Sequence, residues 1–337
     1  MSYTFFLYGL GLLSDSPIPG VPTTPIASAD VHLFMGQLPN WLHTLNIDQI
    51  ETWYLSDYND VSGDPALRVF RIAGGKYFWL RYGDKTEFLV DQNGANIWAA
   101  WPKELTLEDT ATYLLGPVMG FVLLLRGGVS LHASAIALEG NAVALTGPPG
   151  AGKSTTAAAF AEMGHRVLAE DVVTLDDRGD SFLIHPAYPC IRLWPKSVEA
   201  LYGPNDLPRL TPNWDKRYLD LTQERYDFQM HPLPLSAIYL LAARSDDNDA
   251  PLVRELTESE ALISLIANTY STYLMDRQMR AREFELLSRV LKTVPVREVI
   301  PHASAARISE LCRLIREDSQ NLKVTNLCQS EAQIVNV

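Results

Sequence analysis

Residues Gly147-Pro-Pro-Gly-Ala-Gly-Lys-Ser154 spell G-x-x-x-x-G-K-[ST] in full, and no other stretch of the chain restricts the fold as tightly. Glycines at these spacings let successive backbone N–H groups turn inward around an anion. A helix starting at the lysine adds its partial positive charge. The flanks suit that use: Ala142-Val-Ala-Leu145 reads as a strand, an Ala-rich helix is predicted from about 153 to 163, and Gly164 stands where it should stop. The motif predicts binding of a nucleoside triphosphate, ATP in the simplest case, with Gly147, Pro148, Pro149, Gly150, Ala151, Gly152 and Thr155 forming the cradle. Lys153 is expected to neutralise phosphate oxygens, and the Ser154 hydroxyl to reach Mg²⁺. The plainer alternative is a glycine-rich turn that only caps a helix.

An acidic pair follows, ending seventeen residues after Ser154. Glu170 and Asp171 lie inside Val167-Leu-Ala-Glu-Asp-Val-Val-Thr-Leu175, an apolar stretch read as strand on both sides. Adjacent carboxylates in such a setting are costly unless a cation meets them. Neighbours on a strand point to opposite faces, so one acid can take Mg²⁺ while the other faces an acceptor. The competing reading is a strand end with two solvated acids.

Composition removes several classes. With 47% hydrophobic and 20% charged residues, the chain belongs with folded globular proteins, which excludes disorder over most of its length. The net charge of −12 argues against nucleic-acid binding, which depends on neutralising phosphates. The apolar opening Tyr3–Leu13 lacks the basic flank of a secretory signal. The apolar run from Tyr113 to Leu125 falls short of a ~30 Å hydrocarbon core and predicts a buried helix, so no membrane partner is expected. Three scattered cysteines (Cys190, Cys312, Cys328) make neither a disulfide framework nor a zinc knuckle, as suits a cytoplasmic location.

Organisation along the chain predicts an α/β (α+β) protein with a β-rich domain over 1–105, a second domain over 106–317 that carries the phosphate loop, and a disordered tail over 318–337. The first ~30 residues read as one apolar strand and a proline-rich turn region. Alternating runs at 66–72 and 77–82 predict an antiparallel meander. Thr106-Leu-Glu-Asp109 has the spacing of a capping box and opens a helix to about 125; strands at 129–138 and 142–145 follow. Thr257-Glu-Ser-Glu260 repeats that spacing ahead of a helical stretch to about 294, and a last helix is expected over 305–316. Charge is unevenly divided. Residues 1–67 hold seven acids and no Lys or Arg, so the remaining 270 residues carry only −5 of the −12.

Leu131-His-Ala-Ser134, the loop Gly147–Ser154 and Gly164-His-Arg-x-x-x-Glu-Asp171 fall in an order and spacing that resembles the HPr kinase/phosphorylase superfamily. The chain as a whole looks like the HPr-kinase-like proteins encoded beside lasso-peptide and related ribosomal-peptide genes. The similarity includes the opening Phe6-Leu-Tyr-Gly-Leu-Gly11 and runs from 3 to about 315, with its specificity concentrated in 126–175. This resemblance implies an ATP- and Mg²⁺-dependent kinase acting on a peptide or protein with an acceptor serine. It implies Lys153 and Ser154 on phosphates and metal, Asp171 as metal-binding acid, Glu170 as general base, and His132 beside that base. His132 read alone is equally a hydrogen-bonded core histidine. Glu170 stands where the family has Asp. Cys190, in Pro189-Cys-Ile-Arg-Leu-Trp194, stands where a later metal-binding acid falls. Arg192 then contacts phosphate or substrate, or makes a surface ion pair.

Trp214-Asp-Lys-Arg-Tyr-Leu219 is similar to a segment of the peptide-associated relatives, and Lys216 with Arg217 either closes over the triphosphate, grips an acidic substrate, or lies in a solvated loop. The basic positions Arg277, Arg280, Arg282, Arg289 and Lys292 read as a charged helix face. A carrier-protein kinase/phosphorylase, a small-molecule kinase and a non-catalytic nucleotide sensor remain alternatives, and a homo-oligomer is left open.

Overall fold

The computed structural model describes residues 1–60, 62–204 and 207–334, with side chains described as far as Leu322. The chain divides into two compact units. One comprises Met1–Gly128 with Leu210–Trp214 and Ser271–Arg280; the other comprises Val129–Arg209, Asp215–Tyr270 and the chain from Ala281 onward.

In the first unit, β1 (Tyr3–Leu7), β2 (Leu10–Ser14), β3 (Val31–Met35), β4 (Ile50–Leu55), β5 (Leu67–Ile72), β6 (Tyr77–Tyr82), β7 (Glu87–Asp91) and β8 (Asn96–Ala100) form one mixed sheet, in the order β1-β2-β3-β8-β7-β6-β5-β4. The meander expected over 66–98 is present as antiparallel β5 to β8. The opening apolar run is a hairpin rather than one strand. Tyr8 and Gly9 take φ of +56° and +82°, the left-handed pair of a two-residue turn, and Leu7 pairs with Leu10.

The capping box forms as the spacing predicts: Thr106 Oγ1 accepts from the Asp109 N–H, and Asp109 Oδ2 accepts from the Thr106 N–H at 2.9 Å. α1 (Leu107–Tyr113) then passes through a π-turn at Leu114–Val118 into α2 (Met119–Leu125). Pro117 lies inside that turn, where its missing N–H breaks the regular ladder. The Tyr8 hydroxyl donates to the Leu115 carbonyl there at 2.7 Å. Phe121 meets Phe78 edge-on at 5.0 Å. The 19 residues from Leu107 to Leu125 are long and apolar enough to cross a membrane, longer than the run counted from Tyr113, and 78% of their most apolar window is buried, as in a core helix. These helices pack on the first unit's sheet, and that unit runs without a break from Met1 to Gly128.

The second unit contains β9 (Val129–Leu138), β10 (Asn141–Thr146), α3 (Lys153–Glu162), β11 (Val167–Ala169), β12 (Val172–Asp177), β13 (Phe182–Ile184), β14 (Cys190–Leu193) and α4 (Pro195–Tyr202). β15 (Arg209–Thr211) and β16 (Trp214–Asp220) form a hairpin whose tip counts with the first unit, and β16 pairs antiparallel with β14. Then come β17 (Leu233–Leu241), β18 (Leu252–Glu255), α5 (Glu258–Ala267), α6 (Arg277–Thr293), β19 (Val296–Ile300) and α7 (Ile308–Ile334). The strand pairings return to their start, running β10–β9–β12–β13–β17 and back to β10. β10, β17 and β19 run parallel. Phe160 of α3, Leu145 of β10 and Tyr239 of β17 are fully buried in the core beneath the loop that joins β10 to α3.

Two expectations for the C-terminal half are corrected. The helical stretch from 257 to 294 is two helices, because the chain leaves α5 to dock on β9: the His132 N–H donates to Asn268 O at 2.8 Å and the Tyr270 N–H to Ser130 O at 2.7 Å. The tail expected to be disordered from 318 is helix as far as Ile334, with 335–337 outside the described residues. Its first part is anchored on the core: Tyr239 Oη donates to Asp318 Oδ2 at 2.6 Å, and Leu322 packs on the core.

Candidate functional site

The Gly147–Ser154 loop leaves the end of β10 and enters α3 at Gly152, whose φ of +109° only glycine adopts without strain. Gly147 is constrained twice, by a φ of +142° and by a Cβ position only 2.6 Å from the Leu241 carbonyl of β17. Lys153 Nζ turns back along the loop and donates to Gly147 O at 2.7 Å and Pro148 O at 3.2 Å. Burial lowers its ammonium from 10.5 to about 8, against the opposing pull of Asp171 and Glu170.

The two acids occupy the break between β11 and β12, both of which pair with β9. Asp171 takes a left-handed φ of +73°, and the Val172 N–H bonds back to Glu170 O at 3.0 Å. This kink separates the two carboxylates by environment. Glu170 is buried; its Oε1 accepts from the Ser154 hydroxyl at 2.8 Å and its Oε2 from Arg192 Nε at 3.2 Å. Asp171 faces His132 Nδ1 at 3.2 Å, Arg192 Nη2 at 2.7 Å and the Tyr270 hydroxyl at 2.9 Å. Burial pushes the Asp171 carboxyl up, but the Arg192 charge and the His132 hydrogen bond outweigh it and hold it well below the usual carboxylate range. Asp171 is the more open of the two, with side-chain exposure of 17% against 5%.

Arg192 is therefore no surface ion pair: it is buried on β14 and bridges both acids. Cys190, two residues earlier, is also buried, and burial pushes its thiol well up, so it is a packing residue and a poor metal ligand. Lys216 lies on strand β16 rather than in a solvated loop, and its Nζ sits 5.2 Å from the Trp194 ring centre. Its neighbour Arg217 turns instead to Asp215. Arg289, on the basic face of α6, pairs with Asp177 away from these groups.

A cavity of about 480 Å³ collects His132, Pro149–Thr155, Glu170, Asp171, Arg192 and Lys216. Gly147 and Pro148 form the base of the loop, with their carbonyls on Lys153. The cavity wall also includes Trp194, Lys196, Ser197, Arg244, His302 and Arg307, none of which the sequence motifs single out. Ser197 is tied to the loop by a 2.8 Å contact between its hydroxyl and that of Thr155. Tyr270, which holds Asp171, is missed as well, since it becomes visible only where the expected helix breaks.

Among the described residues no three His, Cys, Asp or Glu side chains converge into a cage. A hydroxyl and a carboxylate do meet at Ser154 and Glu170, which suits Mg²⁺, an ion that takes one or two protein oxygens and completes its shell with phosphates and water. The lining carries six Lys and Arg side chains against two acids, a marked positive excess in a chain of net charge −12. Such a site is built to take a polyanion.

No family model matches the chain. The HPr kinase/phosphorylase of Lactobacillus delbrueckii subsp. bulgaricus is 33% identical over 90 residues, covering 26% of this chain, and the chain spans only 28% of that relative's length. The solved structure of the Hpr(Ser) kinase/phosphatase from Coxiella burnetii superimposes with a TM-score of 0.33 at 15% identity, over 60% of this chain and 96% of that one. Over that stretch of 90 residues the chain is similar in sequence to an HPr kinase/phosphorylase.

Proposed function

We propose that this chain is an ATP-dependent kinase that transfers the γ-phosphoryl group to a serine hydroxyl of a peptide. The observation that carries this reading is the meeting of the glycine-rich loop, the Glu170–Asp171 pair and Arg192 around one cation-rich cavity. Lys153 and the loop amides would bind the phosphates. Ser154 and Glu170 would hold Mg²⁺, which when bound supplies charge neutralisation at the phosphates. Asp171 would orient the acceptor hydroxyl and take its proton, with His132 and Tyr270 fixing its carboxylate. This reverses the roles that the resemblance implies for Glu170 and Asp171, because it is Glu170 that shares the Ser154 hydroxyl.

The transfer forms a bond from the serine oxygen to the γ-phosphorus and breaks the bond to the β,γ-bridging oxygen, whose electron pair leaves with ADP. Positioning and charge stabilisation carry most of such a reaction. The acceptor class follows from the resemblance, which reaches the opening strand and favours a ribosomal precursor peptide. The acidic first 67 residues, with β4 at one edge of their sheet, would offer a basic peptide a strand to pair with.

Labelled ATP incubated with serine-bearing precursor peptides and, separately, with an HPr-like carrier tests the reading. Phosphate on a peptide serine, lost in Asp171→Asn, is expected. Transfer to the carrier alone would remove the peptide assignment, and transfer to neither would remove the kinase.

A further inference from the structure

We infer that Arg244 reads the terminal phosphate of the bound nucleotide, so that the cavity separates a nucleoside triphosphate from a diphosphate; the inference rests on the kinase reading above. Arg244 follows β17, which runs parallel to β10, so both strands release their chains on the same side. Ligands of parallel sheets gather beyond such carboxyl ends. The Arg244 Nη2 atom lies 3.2 Å from where a Cβ on Gly152 would stand, so the guanidinium rests against the backbone that opens α3.

The main chain carrying it is firmly held. The Ala242 N–H donates to Val299 O at 2.8 Å, and the Ser245 N–H to Pro301 O and the Ala303 N–H to Ser245 O, both at 2.9 Å. The side chain is not committed: among the described residues it has no ion pair and no hydrogen bond. Three other cations of the cavity are engaged. Arg192 bridges two acids, Lys153 donates to loop carbonyls, and Arg307 pairs with Glu310. Lys196 shares the freedom of Arg244 but belongs to the first turn of α4, with no such approach to the glycine backbone.

An arginine presents a planar fork that matches phosphate oxygens in pairs. Placed over the loop it would meet the equatorial oxygens of the γ-phosphoryl group, where charge shifts as the bond to the bridging oxygen breaks. A diphosphate lacks those oxygens and would leave the guanidinium in water. An arginine in this role is worth about 10³–10⁵ in kcat.

The test compares full-length wild type, Arg244→Ala and Arg244→Lys by calorimetric binding of ATP and ADP with Mg²⁺ and by single-turnover phosphate transfer. In Arg244→Ala, ATP binding is expected to weaken about tenfold or more while ADP binding stays within about twofold, and transfer falls by about 10³. Arg244→Lys should regain part of the ATP affinity and little of the rate. Unchanged ADP binding also reports that the variant is folded. Equal losses for ATP and ADP, or no loss, would overturn the role of Arg244. Wild type that binds neither nucleotide would overturn the kinase reading itself.

Discussion

The Ser154 hydroxyl donates to Glu170 Oε1 at 2.8 Å, joining the first turn of α3 to the acid that follows β11. On the kinase reading proposed above, those two oxygens would begin a hard-cation site, while Asp171 looks toward His132. Mg²⁺ titrations of phosphate transfer should therefore sort the variants. Ser154→Ala and Glu170→Gln should raise the Mg²⁺ needed for half-maximal rate by about tenfold or more. Asp171→Asn should lower kcat at an unchanged Mg²⁺ requirement. If Asp171→Asn shifts the metal requirement and Glu170→Gln does not, the two roles are the other way round.

Arg192 is buried between two carboxylates, so its loss leaves them facing each other. Arg192→Met should cost about 3–5 kcal/mol at pH 7 in urea unfolding. Without the guanidinium, the burial that pushes the Asp171 carboxyl up loses its largest opposing influence, and the folded state binds that proton more readily than wild type does. The penalty should accordingly shrink as the pH falls from 7 to 5. An equal penalty at both pH values would show that packing, not charge, is what Arg192 contributes.

Lys153 has a folded pKa of about 8 against an ordinary 10.5. In the free protein it loses its charge as the pH rises through 8, whereas the unfolded chain keeps that charge to 10.5. The cost of burying the ammonium is thus fully present below pH 8 and relieved above it. A bound phosphate favours the charged form, so nucleotide binding between about pH 8 and 10 should take up close to one proton. Calorimetry in two buffers of different ionisation enthalpy measures that uptake, and Lys153→Met should abolish it.

Two glycines of the loop should differ in cost. Gly150 has a φ of +82° but open space around its Cβ position, whereas Gly147 combines φ of +142° with the Leu241 carbonyl at 2.6 Å. Gly150→Ala should cost about 1 kcal/mol, and Gly147→Ala more, with β10 and β17 forced apart. Thermal unfolding of the two variants checks the order.

Beneath the loop, Phe160 is fully buried among Leu145, Tyr239 and Ile315. Phe160→Ala should destabilise by about 3–5 kcal/mol, read from urea unfolding, with nucleotide affinity falling only as the folded fraction falls.

Local patterning carried the elements whose determinants sit side by side. The capping boxes at Thr106 and Thr257, the strands at 129–138 and 67–72, and the loop with its helix are all written in contiguous residues. Lys153, Ser154, Glu170, Asp171, His132 and Arg192 were legible as a group because motif order brings them together, and they line one cavity. What escaped depends on distant parts of the chain. Tyr270 reaches Asp171 only because Asn268 and Tyr270 exchange a helix for hydrogen bonds to β9. Arg244 and His302 become neighbours of the loop through parallel pairing of β10, β17 and β19, which no local pattern announces. The Tyr8–Gly9 turn was hidden for another reason: both sides of it are apolar, so periodicity could not break the run.

The circuit of pairings β10–β9–β12–β13–β17 fixes more than a sheet. His132 stands on β9, the acids on the edge β9 shares with β12, and the phosphate loop at the end of β10. Each is indexed to the others by ladder registers that close on themselves, so a slip at one pairing would demand a slip at all. The spacing between the Gly147–Ser154 loop and Asp171 is therefore a property of the frame. The loop after β19 and the hairpin of β15 and β16 lie outside that circuit. On the kinase reading proposed above, acceptor choice would rest with such rim segments, while Glu170, Asp171 and the Gly147–Ser154 loop are held by the frame.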